Sequence, residues 1–230
     1  MPAEYEASLL YSYPFATLSS SIFRKYPNPF ASHVISSDTI DRWVDEEGRL
    51  HSIRIHLKRG LIPKWGRALI SRAEAFIVEW SVVAVSEISP TSLPVTSDPG
   101  HVRCATNTTS NAKRSLTYEM RVITQNLTHK KIMDVRETQR VRPDDMDPST
   151  TRVFTSAVIT SNILWKPMAR RIESFGLERF KKNIRRSAQG LEFVMAHMDF
   201  SKELPSGQSD GLSSGESIYR LLKSRPFLLV

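Results

Sequence analysis

Side chains that can carry positive charge alternate along one predicted strand: Arg54, His56 and Lys58. The residues between them are apolar: Ile53, Ile55 and Leu57. Because successive strand side chains point to opposite faces, this period of two predicts one cationic face and one apolar face. A loop with proline and tryptophan, Pro63 to Trp65, follows closely. The pattern indicates a site for an anion with an apolar body; an edge strand with a solvated polar face is the alternative.

The elements around this strand predict an α+β fold. We expect strands at 7–13, 33–45, 50–59, 75–85, 116–124, 131–141 and 151–163, and helices at 14–26, 64–71 and 166–198. One face of a seven-stranded antiparallel sheet must be covered, and one long C-terminal helix can cover it. A curved sheet that grips such a helix leaves a cavity between the two layers. We interpret Gly176 and Gly190 as bend points of the helix.

Composition limits the class of protein. The chain has 230 residues with a formal net charge of +8, which favours anionic partners such as phospholipid headgroups, a membrane surface or nucleic acid. A single cysteine, Cys104, excludes an internal disulfide framework and a thiolate zinc site. We find no metal-ligand spacing, no phosphate-binding glycine loop and no nucleophile motif. We therefore expect neither an enzyme nor a metal or cofactor site.

Residues 1–199 are predicted to form one domain that is interrupted at 86–115. Eleven of those thirty residues are Ser or Thr and three are Pro, without periodicity. We interpret this stretch as a disordered insertion between two strands, or as an error in the gene model. Residues 200–230 are predicted to be a disordered tail. The acidic start of the chain predicts no cleaved targeting leader.

Six short signals carry a family resemblance: Tyr26-Pro27-Asn28-Pro29, His33-Val34, Asp38-Thr39-Ile40, Arg54, Pro63-x-Trp65 and Phe175-Gly176-Leu177-Glu178-Arg179-Phe180-Lys181-Lys182-Asn183. Together they resemble the PRELI family, called Ups proteins in fungi. Members are phospholipid transfer proteins of the mitochondrial intermembrane space. The resemblance covers roughly residues 1–85 and 116–199.

The resemblance implies a START-like helix-grip fold whose tunnel holds an acidic phospholipid. It implies transfer of phosphatidic acid between the outer and inner mitochondrial membranes in support of cardiolipin metabolism, and contact with anionic membranes. It also implies a heterodimer with a small helical-hairpin protein of the twin C-x9-C type. A phosphatidylserine carrier and a basic nucleic-acid-binding protein are the alternatives, although stacking aromatics between the basic runs are missing.

A phosphate headgroup needs several hydrogen-bond donors, so our headgroup candidates are basic side chains: Lys25, His33, Arg54, Lys58 and Arg171. Arg54 is expected to be the primary clamp because a guanidinium binds two oxygens at once. A cross-strand salt bridge is the alternative for Arg54, and a purely structural role is the alternative for His33. The segment 57–70 is predicted to be a lid that touches the membrane through Arg59, Leu61, Ile62, Lys64, Trp65 and Arg67. A plain connection between two strands, with Trp65 in the core, is the alternative.

Overall fold

The computed structural model describes residues 2–67, 69–70, 73–88 and 115–197. In chain order these ranges form β1 (Ala3–Tyr11), α1 (Phe15–Phe23), β2 (Val34–Val44), β3 (Leu50–Arg59), β4 (Glu74–Ile88), β5 (Ser115–Asn126), β6 (Asp134–Pro143), β7 (Thr151–Thr160) and α2 (Lys166–His197). Short 3-10 turns lie at Pro29–Ala31 and Lys64–Gly66. The predicted helix at 64–71 is thus only a 3-10 turn over its first residues.

The strands form one antiparallel sheet in the order β1-β7-β6-β5-β4-β3-β2. This confirms the predicted seven-stranded antiparallel sheet with a long C-terminal helix. The ends of the predicted 86–115 insertion belong to β4 and β5. The rest of that insertion, and the predicted tail, lie outside the described residues. No helix in the described ranges is long and apolar enough to span a membrane.

The apolar core lies where α1 and the end of α2 pack on the sheet. It consists of Tyr11, Phe15, Leu18, Ile22, Leu50, Val83, Met120, Val122, Val141, Val153, Leu191 and Met195. We call the sheet face that packs against α2 the inner face; the ring of Tyr5 on β1 meets Phe180 of α2 there, with ring centroids 5.3 Å apart. The inner face and α2 also enclose a space that some of the core residues line.

The polar side of β3 belongs to the inner face, which sequence periodicity alone does not decide. Ser52, Arg54 and His56 are 1 to 3% exposed. The apolar residues between them lie on the outer face and are half-buried. Because β2 covers one edge of β3 and β4 the other, the alternative of a solvated edge strand is wrong.

The glycines of α2 are positions of close contact, whereas the sequence suggested bend points. A Cβ on Gly176 would lie 2.8 Å from Met133 Sδ, and one on Gly190 would lie 2.7 Å from Asn28 Oδ1. The helix runs from Lys166 to His197 through both residues. Missing side chains thus let α2 pack tightly against its neighbours.

Candidate functional site

A cavity of about 370 Å³ separates the inner face of the sheet from α2. That volume lies in the range of roughly 300–1,000 Å³ seen for small-molecule pockets. The wall formed by α2 is largely apolar and includes Ile172, Phe175, Phe180, Ile184, Ala188 and Leu191. The opposite wall comes from the inner face and from the loop between β3 and β4. The arrangement suits a ligand with an apolar body.

Cationic side chains gather at one part of this cavity. Lys25 follows α1, Lys58 lies near the end of β3, and both ammonium groups lie near the ring of Tyr26, with Nζ 5.6 and 5.9 Å from its centroid. Arg179 lines the cavity from α2. Lys25 Nζ also donates a hydrogen bond to Ser187 Oγ of α2. Within the described ranges, no carboxylate forms an ion pair with Lys25, Lys58 or Arg179.

The titration of neighbouring groups reflects this excess of positive charge. Burial lowers the pKa of His33, and nearby cations lower it further: Lys58, Arg186, Arg179 and Lys25. Burial would raise the pKa of Tyr26, but the charges of Lys25 and Lys58 lower it overall. His33 is therefore neutral at neutral pH, and the local field favours an incoming anion.

Arg54 has a different environment from the one the sequence predicts. Its Nε donates to Glu79 Oε1 at 2.9 Å, and its Nη2 also reaches that oxygen. Its Nη1 and Nη2 donate to the backbone oxygens of Phe23 and Ile22 at 2.8 and 3.1 Å. Arg54 does not line the cavity. We therefore revise its role from headgroup clamp to the cross-strand ion pair that was the alternative.

Glu79, in contrast, lines the cavity and stays ionised. Burial would raise the pKa of Glu79, but Arg54 and His56 lower it to about 2. Burial lowers the pKa of His56, so its ring is neutral near pH 7. The neutral ring then donates from Nε2 to Glu79 Oε2 at 3.3 Å and accepts from Ser37 Oγ at Nδ1, 2.9 Å away. Arg54 is thus the charge that balances Glu79.

The predicted lid residues fall into two groups. Arg59, Leu61, Ile62 and Trp65 line the cavity, whereas Lys64 and Arg67 are exposed and do not. The Trp65 ring meets Phe175 of α2 edge-on, with centroids 5.7 Å apart. Arg171 lies above Trp65, its guanidinium carbon 5.1 Å from the ring centroid. Arg171 therefore belongs to the contact between lid and helix and not to the group around Tyr26.

Four residues of the site were missed as such from the sequence: Tyr26, Glu79, Glu137 and Arg179. Tyr26 was noted only as part of a motif, although its neighbour Lys25 was a candidate. Arg179 was likewise noted only as part of a motif, yet it follows Phe175 by four positions and shares its helix face. Glu137 carried no signal beyond being a single carboxylate in a strand. Of the predicted headgroup set, the structure brings Lys25, His33 and Lys58 together.

Comparison with known proteins finds a matching family and several relatives. The model of the PRELI-like family matches residues 16–89 and 102–201. The chain is 32% identical over 179 residues to "Protein ups1 homolog" of Schizosaccharomyces pombe, covering 78% of this chain and 86% of that one. It is 28% identical over 195 residues to "Protein UPS1, mitochondrial" of Saccharomyces cerevisiae, covering 85% and 94%. It is 29% identical over 188 residues to "PRELI domain-containing protein 1, mitochondrial" of Gallus gallus, covering 80% and 73%.

Proposed function

We propose that this chain, which belongs to the PRELI-like family, carries phosphatidic acid between the outer and inner mitochondrial membranes. A mitochondrial location and a role in lipid transfer follow from the family and its named relatives. Phosphatidic acid as cargo, support of cardiolipin metabolism and work in the intermembrane space belong to the proposal. So does a heterodimer with a small twin C-x9-C helical-hairpin protein.

The observation that carries the proposal is a set of cations without acidic partners beside an apolar cavity. Lys25, Lys58 and Arg179 line the cavity, and no carboxylate of the described residues forms an ion pair with them. A phosphate monoester carries between one and two negative charges at neutral pH. Charge-assisted hydrogen bonds contribute about 1.5–3 kcal/mol each. A phosphate beside Tyr26 would receive several of them.

The acyl chains account for the affinity and the headgroup for the choice of lipid. Two acyl chains contain on the order of 30 methylenes, and burial of each contributes ~0.8 kcal/mol, so transfer of the chains from water to the cavity is favourable by tens of kcal/mol. Transfer of the same chains from water to a bilayer is favourable by a similar free energy. The affinity of a carrier for its lipid must therefore be close to that of the membrane, because a carrier that binds the lipid more tightly would not release it. The polar contacts near Tyr26 therefore select the lipid.

Loading requires the lid to move. We propose that the loop from Gly60 to Gly66 opens at the membrane, because its exposed Lys64 and its neighbour Arg67 suit an anionic surface. Leu61 is 72% exposed and is placed to enter the bilayer. Trp65, now packed on Phe175, would exchange that contact for the membrane interface.

The test is transfer of fluorescent phosphatidic acid between liposomes by the full chain, co-expressed with its twin-cysteine partner. Lys58→Ala should lower transfer about tenfold, because it removes one charge-assisted hydrogen bond. Lys182→Ala, an exposed lysine of α2, is the matched control and should change transfer little. Vesicle sedimentation normalises both rates to the amount of bound protein. Equal transfer by wild type and Lys58→Ala would overturn the headgroup site, and no transfer by wild type would overturn the function.

A further inference from the structure

A surface of apolar side chains lies on the outer face of the sheet, away from α2 and the cavity. Ile53 and Trp80 are direct neighbours across β3 and β4, and Ile55 and Val78 are the next such pair. Trp80 is 38% exposed, and Trp43 on β2 is 42% exposed. Large apolar side chains that lie together and face water mark a binding surface. We call the following residues the outer patch: Trp43, Ile53, Ile55, Phe76, Val78 and Trp80.

Acidic side chains border the outer patch on β2. Asp38 lies opposite Ile55, and Asp41 lies opposite Ile53, in the pairing of β2 with β3. Both carboxylates are exposed. The other half of the outer face, on β5 and β6, carries exposed arginines instead: Arg121, Arg136 and Arg140. The outer patch therefore favours a binding segment that is apolar and basic.

Segment 219–230 of this chain has that composition. Its basic residues are Arg220, Lys223 and Arg225, and it contains no acidic residue. Seven of its twelve residues are apolar or aromatic: Tyr219, Leu221, Leu222, Phe227, Leu228, Leu229 and Val230. The sequence predicts a disordered tail here, and disordered segments commonly become ordered when they bind. The segment therefore matches the outer patch in apolar character and complements it in charge.

The helix α2 ends close to the edge of the sheet that carries the outer patch. The ring of Phe193 meets that of Phe30, with centroids 6.1 Å apart, and His197 stacks on Phe193. Phe30 belongs to the 3-10 turn that leads into β2, the edge strand next to β3. Residues 198–218 can span roughly 70 Å, whereas β2 extends over about 36 Å. The segment can therefore reach the outer patch around this edge.

We propose that segment 219–230 docks on the outer patch of its own chain. Its apolar side chains cover Trp43 and Trp80, and its basic side chains lie beside Asp38 and Asp41. Because both parts belong to one chain, the tether raises the effective concentration of the segment toward the millimolar range. A second copy or another protein at lower concentration must bind more tightly to displace it. The inference does not depend on lipid transfer, because the outer patch lies on the face opposite the cavity.

Disulfide cross-linking in the full chain tests the docking. Two variants share Cys104→Ser and Ser224→Cys; one adds Ser36→Cys on β2, and the other adds Ser8→Cys on β1. Ser36 and Ser8 are exposed serines on the two edge strands of the sheet. With oxidised glutathione, the intramolecular disulfide should form at least about tenfold faster with Ser36→Cys than with Ser8→Cys. Mass spectrometry and gels without reductant measure the two rates.

A charge swap identifies the contact. Arg220→Glu with Lys223→Glu should slow the cross-link of the Ser36→Cys variant about tenfold. Adding Asp38→Lys with Asp41→Lys should restore the rate, because the attraction returns with opposite signs. Lys181→Glu with Lys182→Glu, at two exposed lysines of α2, is the control for the same change of net charge and should leave the rate unchanged.

Equal rates with Ser36→Cys and Ser8→Cys overturn the docking, because a segment without a binding site reaches both edges alike. Absence of the intramolecular disulfide from both variants has the same meaning. Disulfides between two chains, formed at a rate that rises with protein concentration, also overturn it and assign the outer patch to a second copy. A charge swap that fails to restore the rate overturns the contact with Asp38 and Asp41.

Discussion

Strand β3 places two cations four residues apart on the same inner face, and their surroundings differ. Arg54 donates to Glu79 and to two backbone oxygens. Lys58 lines the cavity, and no acidic partner contacts it within the described ranges. We call Arg54, Glu79 and His56 the satisfied centre, and Lys25, Tyr26 and Lys58 the open centre. A charge whose hydrogen bonds are completed within the fold stabilises that fold, whereas a charge left open can bind from outside.

The two centres should differ most clearly in how a substitution changes the stability of the fold. A buried ion pair adds little net stability, because desolvation offsets the attraction between its members. Removing one member, however, leaves the other charge buried without compensation. An open cation has no such dependent partner. Loss of stability and loss of transfer should therefore separate between the two centres.

The largest effect is expected from Arg54→Met. This change leaves the ionised, 7% exposed Glu79 without its guanidinium. We expect a loss of about 3–5 kcal/mol in the free energy of unfolding, measured by urea titration. The double change Arg54→Met with Glu79→Met removes both charges and should recover most of the loss.

Lys58→Met is the matched control from the open centre. Its free energy of unfolding should stay within about 0.5 kcal/mol of wild type, because no described group depends on Lys58 for charge balance. The comparison fails if Arg54→Met unfolds like wild type yet loses transfer of phosphatidic acid. That result would return Arg54 to the headgroup, as the sequence first predicted.

The sequence predicts strand β3 and its alternation, but it does not predict which residues of β3 are paired within the fold and which are open to the cavity. The alternation in β3 was correctly predicted because period two is a local property of a strand. The sequence does not predict which face of β3 turns inward, since either face could be buried. One face is apolar, and the other has polar partners that are buried with it. The acceptors of Arg54 lie 25 to 32 residues away in sequence, at Glu79, Phe23 and Ile22. Only the folded chain brings them to the guanidinium.

A smaller effect is expected from Gly190→Ala, which acts on the open centre through Asn28, the residue that contacts both Gly190 and Lys25. Asn28 Nδ2 donates to the backbone oxygen of Lys25 at 2.6 Å, and a Cβ on Gly190 would meet the Asn28 side chain at 2.7 to 3.0 Å. In an exposed helix this change would stabilise by about 0.8–1 kcal/mol. Here overpacking of about 1–3 kcal/mol should exceed that gain. We expect a net loss near 1 kcal/mol in urea unfolding and slower transfer of phosphatidic acid.

A double-mutant cycle identifies the cause of that loss. In the background Asn28→Ala the clash is absent, so adding Gly190→Ala should stabilise the chain or leave it unchanged. If the glycine substitution costs the same in both backgrounds, contact with Asn28 does not explain it. The link from α2 to the open centre would then be lost.

The smallest effect is a pH dependence that distinguishes His56, in the satisfied centre, from His33, which lies near the lysines of the open centre. Burial lowers the pKa of His56 and of His33 from the ordinary value near 6.5. As pH falls through about 6.5 toward the lower folded pKa, the unfolded chain binds more protons, so the free energy of unfolding decreases. His56→Gln and His33→Gln should each reduce this slope in urea titrations from about pH 7 to about pH 5. Phosphatidic acid should reduce only the contribution of His33, because a bound phosphate offsets the cations that add to the effect of burial there, whereas His56 faces Glu79 in both states. An equal response of both variants to the lipid would mean that the two centres are not electrostatically separate.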